Sequence, residues 1–516
     1  MNPTIRDATL ERTPTAAASE PCIDAGDSEL SSASTVAQAS QPPSRERRQF
    51  LALSAAAAAT GSLMQPALAQ QRDFGSSFVW GAATSAYQIE GAASRAGGGL
   101  SVWDTFCKRS GAIRDGSSGE IACDHVNRWR DDVALMRELG MRAYRFSISW
   151  PRVMPEGVGA VNAAGLDFYD RLVDALLAAG IEPWVTLFHW DYPEALHKRG
   201  GWLKDDSPEW FSGYATTVVK KLSDRVRHWM TLNEPEIFII LGYQLALHAP
   251  GDKLSWSEIL RISHHVLLAH GLATQAIRAS SKQSCQVGCA AALQPAMPAT
   301  EQPADIDAAR RATFSGMAAW LMEPMYLGAY PEAEFKAWEK DVPKFPAGDL
   351  RTIRQPLDFF AANIYQAATV RAGAGGKIEQ VPRPPGHPRT LMDVFDVVPG
   401  GLYWGPRFYY ERYKLPIVIT ENGTSVPDWI ALDGRVHDPQ RIDFMQRYLR
   451  ELARARTGGA DVRGYFAWSL MDNFEWAEGY RQRFGLIYVD FATQRRTPKD
   501  SFYWYRDVIR SNGVSL

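Results

Sequence analysis

Cysteine is scarce. Five residues in 516 are too few for the disulfide framework of a small secreted scaffold. An excess of one charge is also lacking: 56 Lys and Arg stand against 58 Asp and Glu, for a net charge of −2. That leaves no basic footprint for nucleic acid. No apolar run reaches the roughly 20 residues needed to span a bilayer. No G-x-G-x-x-G follows a strand-like run, and Gly97-Gly98-Gly99 reads as a loop rather than a dinucleotide cradle. The Cys285/Cys289 spacing is not a metal signature, and no His pair lies near it. No metal and no organic cofactor is therefore expected. Buried free thiols are the expected state of Cys107, Cys123, Cys285 and Cys289, although an oxidising compartment would permit three full pairings of the four. With 46% hydrophobic and 22% charged residues, a disordered or collagen-like chain is excluded. What the sequence has in quantity is aromatic: 17 Trp, 19 Tyr and 22 Phe. A large core takes some of these, and a pocket that grips flat apolar faces takes others.

The first 69 residues differ in kind from the rest. Residues 1–44 are rich in Ala, Ser, Thr and Pro and read as disordered. Arg47-Arg48-Gln49-Phe50-Leu51 then precedes an apolar stretch to about Met64, closed by Pro66-Ala67-Leu68-Ala69. A basic segment, a short apolar run and small residues before a cleavage point make a secretory signal. The paired arginines are of the twin-arginine type. The apolar run is too short for a membrane anchor. The expectation is a leader and signal over 1–69 and a working chain over 70–516. The product would be exported, periplasmic or secreted, with no stable membrane insertion after cleavage.

The remainder alternates strand and helix. Strand-like runs occur at Phe78–Ala82, Tyr144–Ile148, Pro183–Phe188, Trp229–Leu232, Gln286–Ala290, Phe359–Ile364, Ile417–Thr420 and Tyr465–Trp468. Helical spacings lie between them. Leu166, Tyr169, Leu172, Val173, Leu176 and Leu177 share one face, with Gly180 at the C-terminal stop. Ser207-Pro208 marks the start of another helix. Ile442, Met445, Tyr448 and Leu449 mark a third. Eight βα units without a long linker predict an α/β fold, a single (β/α)8 TIM barrel. The alternative, a doubly wound open sheet, lacks its glycine fingerprint.

Chemistry in such a barrel collects at the C-terminal strand ends. Glu234 follows the fourth strand in Thr231-Leu232-Asn233-Glu234-Pro235, and Glu421 follows the seventh in Ile419-Thr420-Glu421-Asn422-Gly423. One strand-end glutamate is commonly a helix cap or an ion-pair partner. Two of them, each beside an Asn across one barrel mouth, suit the paired carboxylates of glycoside hydrolysis. Other strand ends supply Gln88, Glu90, Arg145, His189, Trp190, Asn363, Tyr365, Trp468 and the run Asp472-Asn473-Phe474-Glu475-Trp476. A sugar ring has hydroxyl edges and an apolar C–H face, so it calls for amide and carboxylate groups around flat aromatics.

These segments resemble glycoside hydrolase family 1, the β-glucosidase family, over essentially all of residues 73–506. The resemblance rests on Phe78–Gly91, Tyr144–Arg152, His189-Trp190-Asp191, Thr231–Pro235, Ile419–Gly423 and Gly464–Tyr488. It implies a (β/α)8 barrel with retaining, exo-acting chemistry on small-molecule β-glycosides. Glu234 would be the acid/base and Glu421 the nucleophile, with Arg145, Asn363 and Tyr365 in support. Asn233 would hold the 2-hydroxyl, and Gln88, His189, Glu475 and Trp476 the 3-, 4- and 6-hydroxyls. Trp468 would floor the subsite beside Trp190, and Phe484 would close it near the 6-position. β-Galactosidase or β-fucosidase action, transglycosylation, and a non-catalytic binding role remain alternatives within the family. One departure stands out: Phe395 occupies a position where the family usually has Trp facing the leaving group. The sequence sets no oligomeric state.

Overall fold

Eight apolar runs, several rich in β-branched and aromatic side chains, form the eight parallel strands of a closed barrel. The computed structural model describes residues 73–91 and 96–516; the leader and signal expected over 1–69 lie outside the described residues. The strands are β1 (Val79–Ala83), β2 (Ala143–Ser147), β3 (Glu182–Phe188), β4 (His228–Asn233), β5 (Gln286–Ala292), β6 (Phe360–Asn363), β7 (Ile417–Asn422) and β8 (Val462–Trp468). Each pairs with its neighbours in sequence, and β8 closes on β1, where Ala83 faces Trp468. The predicted barrel is therefore present, with every strand within three residues of its expected bounds.

Side chains fill the lumen. Trp184, Met230, Ala361, Val418 and Phe466 form a buried cluster separate from the larger core, as the alternating inward positions of a barrel must. Bulk at one position requires its absence at another: a Cβ on Gly81 would lie 2.6 Å from the Phe466 ring.

Outside, helices turn their apolar stripes to the strands. Helix Ala163–Ala178 buries Leu166, Tyr169, Leu172, Val173 and Leu176, and Gly180 follows it with φ +75°, as a left-handed stop should. Leu177, expected on the same face, is 40% exposed, because one further residue rotates it off the stripe. Helix Ser207–Leu222 starts one residue earlier than expected: Asp206 is its cap, and Ser207 already lies inside it. Part of the segment 371–390 belongs to a small three-stranded sheet of Ala296–Pro298, Ala368–Ala372 and Ile378–Gln380. Among the described residues the four cysteines are unbridged; Cys107 is only half-buried, whereas the other three are buried. No described helix is long and apolar enough to cross a membrane.

Two irregularities position the chemistry. The β4–β5 register shifts between Met230 and Asn233, and the β7–β6 register shifts between Ile419 and Glu421. Register breaks of this kind re-aim side chains at barrel rims, and here they fall at the two strand ends that carry Glu234 and Glu421.

Candidate active site

Charge in the barrel mouth is organised around Arg145, a cation on β2 that is only 1% exposed. Its Nη1 donates to Glu421 Oε1 at 2.5 Å, and its Nη2 donates to Asn233 Oδ1 at 2.6 Å. Its Nε donates to Thr186 Oγ1 on β3 at 3.2 Å. Tyr365 donates its hydroxyl to the other Glu421 oxygen at 2.8 Å. Glu421 thus has a guanidinium and a phenol committed to it.

Glu234 is served differently. Asn363 Nδ2 donates to its Oε1 at 2.7 Å and to Asn233 Oδ1 at 3.0 Å. Thr420 Oγ1 donates to Asn363 Oδ1 at 2.7 Å, which fixes the amide's orientation. Among the described residues no cation hydrogen-bonds Glu234. Burial pushes its carboxyl well above the usual range, and the Glu421 charge adds to the rise. Burial also raises Glu421, but Arg145 and Tyr365 pull it back. Of the pair, Glu421 is the group that ionises first, and its charge then keeps the proton on Glu234.

The sugar-binding candidates gather around these two. His189 lies between the indoles of Trp468 and Trp476, with centroids 5.9 Å and 6.0 Å away and near-parallel planes. Its burial, with Arg145 nearby, lowers its pKa well below the ordinary value, so the ring is neutral. Because Asn233 Nδ2 points at its Nε2 at 3.1 Å, the ring proton belongs on Nδ1, which has no partner among the described residues. Gln88 Nε2 donates to Glu475 Oε2 at 3.2 Å and to Asn473 Oδ1 at 3.0 Å. Burial and then the Glu421 charge push the Glu475 carboxyl up to about 8. Phe484 is buried beside Trp468, edge-on to Tyr365. Trp190 packs its ring on Trp476 with centroids 4.7 Å apart, and its Nε1 donates to the Asn233 carbonyl at 3.0 Å.

Three of the ten non-glycine residues with positive φ among the described residues lie in this site. Trp190, Glu234 and Trp476 have φ of +78°, +48° and +51°, a region costly for residues with a Cβ and typical of functional sites.

The structure thus brings together Gln88, Arg145, His189, Trp190, Asn233, Glu234, Asn363, Tyr365, Glu421, Trp468, Glu475, Trp476 and Phe484. Glu90 is not among them. It turns into a buried pair with Arg152 at 2.8 Å and accepts from Tyr169, so its work is structural. Thr186 and Thr420 are site residues that sequence reasoning missed. The available signal for Thr186 was a polar residue in the middle of an otherwise apolar strand.

A closed parallel barrel with two buried, electrostatically coupled carboxylates at its C-terminal mouth, ringed by amides and indoles, defines a glycoside hydrolase. The family model described as "Glycosyl hydrolase family 1" matches residues 70–514, and the chain belongs to that family. It is 41% identical over 446 residues to "Beta-glucosidase A" of Thermotoga maritima, a match covering 86% of this chain and 99% of that protein. Its identity to "Beta-glucosidase A" of Acetivibrio thermocellus is also 41%, over 85% of this chain and 99% of the relative. Among solved structures, a β-glucosidase from Thermotoga maritima in complex with glucoimidazole superposes with a TM-score of 0.80 at 41% identity, covering 86% of this chain and 100% of that one.

Proposed function

We propose that the chain is a retaining, exo-acting β-glucosidase in which Glu421 is the nucleophile and Glu234 the acid/base. The observation that carries this division is the unequal provision for the two carboxylates. Arg145 and Tyr365 serve Glu421, whereas Glu234 has a single neutral amide donor and a raised pKa. Glu421 attacks the anomeric carbon as Glu234 passes its proton to the departing glycosidic oxygen. Once the glycosyl ester has formed, the negative charge opposite Glu234 is gone and its pKa falls. Glu234 can then take a proton from the water that opens the ester. Asn233, whose amide is held by Arg145, Asn363 and His189, holds the 2-hydroxyl, where contacts strengthen in the transition state. Glucosides are the favoured substrate class because relatives described as β-glucosidases match this chain over more than four-fifths of its length. Proton NMR of the first glucose released from an aryl β-glucoside tests the mechanism. β-Glucose is expected, and α-glucose as the first product would refute it.

The leader points to export. Arg47-Arg48-Gln49-Phe50-Leu51, the apolar run and Pro66-Ala67-Leu68-Ala69 support a twin-arginine signal over 1–69 and a periplasmic or secreted product of 70–516. Changing both arginines to lysine should retain activity in the cytoplasm. An unchanged distribution would refute this route.

A further inference from the structure

Behind the sugar site lies a group of six charges that the mechanism leaves unused: Asp428, Asp438, Asp472, Arg441, Arg483 and Lys499. Their side chains are 0–1% exposed except Arg483, at 17%. Three acids and three bases cancel, as a buried set must. Asp472 stands where this network meets the site. Its Oδ1 accepts from Lys499 Nζ at 2.7 Å and from the Gly485 backbone N–H at 3.0 Å, and its Oδ2 accepts from Arg483 Nη1 at 2.6 Å. It therefore grips the residues on both sides of Phe484. Arg441 takes hold of the same strap through the Arg483 carbonyl at 2.6 Å. The strap lies directly on the Asp472 backbone, for a Cβ on Gly485 would meet the Asp472 nitrogen at 2.0 Å. On the other side, Asp472 opens the run to Trp476. Its neighbour Asn473 accepts from Gln88, and Gln88 donates to Glu475.

We infer that Asp472 is a positioning residue that ties the Phe484 strap to the Glu475 segment, and so sets selectivity for sugars bearing a 6-hydroxymethyl group. The inference rests on the proposed placement of Glu475 and Phe484 beside the 6-position. Burial alone would raise the Asp472 carboxyl, but Lys499 and Arg483 outweigh it and hold it below the usual range, so the clamp is ionised throughout the working pH. Glucosides and xylosides differ only in the 6-hydroxymethyl group, so their kcat/KM ratio reads the geometry of this corner. A misplaced contact is expressed in that ratio rather than in the chemistry common to both.

The test compares aryl β-glucoside with aryl β-xyloside in wild type, Asp472→Asn, Arg483→Gln and Phe484→Ala. Asp472→Asn should lower the glucoside-to-xyloside ratio by roughly tenfold, mainly through a higher KM for the glucoside. Arg483→Gln, more exposed and less disruptive to folding, should move the ratio the same way by a smaller factor. It decides the matter if Asp472→Asn is not recovered folded. A purely structural role would lower both activities together and leave the ratio in place, which overturns the inference. If Phe484→Ala shifts the ratio and the clamp variants do not, the clamp fails while the site reading stands. If Phe484→Ala leaves the ratio untouched, the placement of the 6-position fails and the clamp with it.

Discussion

Arg145 donates one guanidinium N–H to Glu421 at 2.5 Å and another to Asn233 at 2.6 Å, so a single cation both favours the ionised form of the proposed nucleophile and orients the amide proposed for the 2-hydroxyl. Asn363 extends the chain from Asn233 to Glu234. The two carboxylates are thereby linked through three side chains on β2, β4 and β6, and a disturbance at one is felt at the other.

This linkage fixes the direction of pH effects. The acid limb of kcat/KM should report Glu421, which must be ionised, and the alkaline limb Glu234, which must be protonated. Tyr365→Phe removes a donor that stabilises the Glu421 carboxylate. Its acid limb should move to higher pH. A pH profile with an unmoved acid limb would contradict the assignment.

Glu236 offers the complementary test. This second carboxyl, two residues from Glu234, is pushed by burial up to about 8, and its charge helps to raise Glu234. Its Oε2 accepts from the Ala292 N–H at 3.3 Å, while Oε1 has no partner within the protein. Glu236→Gln removes that charge, lowers the Glu234 pKa and should shift the alkaline limb to lower pH. The acid limb should stay in place.

Glu475 bears on phosphorylated sugars. With its carboxyl near 8, it gains charge between pH 6 and 9, and a carboxylate repels a 6-phosphate. The kcat/KM ratio of 6-phosphoglucoside to glucoside should therefore fall as pH rises from 6 to 9, to below about 0.01 at pH 9. Comparable rates on both substrates would contradict the placement of Glu475.

Gly423 shows how tightly the Glu421 loop is held. A Cβ there would sit 1.8 Å from the Trp468 carbonyl oxygen. Gly423→Ala should therefore displace both Trp468 and the Glu421 loop. An expected loss in kcat/KM is on the order of a hundredfold, accompanied by a lower Tm.

Much of this architecture is legible in the amino-acid sequence alone. The eight strands stand out as apolar runs, and Glu234 and Glu421 lie at the ends of two of them, because period-two burial and strand-end chemistry are local in sequence. What escapes is set by register between distant segments. Thr186 matters because β3 places it against Arg145, and Thr420 because β7 lies beside Asn363. Glu90 is equivalent to Gln88 by position along the chain, yet Arg152 and Tyr169 claim it in the fold. Phe395, the departure from the family pattern, lies parallel to Tyr365 with centroids 5.0 Å apart. It is thus one ring removed from Glu421, a relationship its sequence position does not reveal.

The central claim is that Glu421 forms a covalent bond to the sugar, and Glu421→Gly tests it most directly. Turnover of an aryl β-glucoside should fall by at least about ten-thousandfold. Added azide should partly restore it, giving the α-glucosyl azide, because a small anion entering the vacated space attacks from the nucleophile's side. Retained activity without azide, or rescue yielding only the β-azide, would contradict the account.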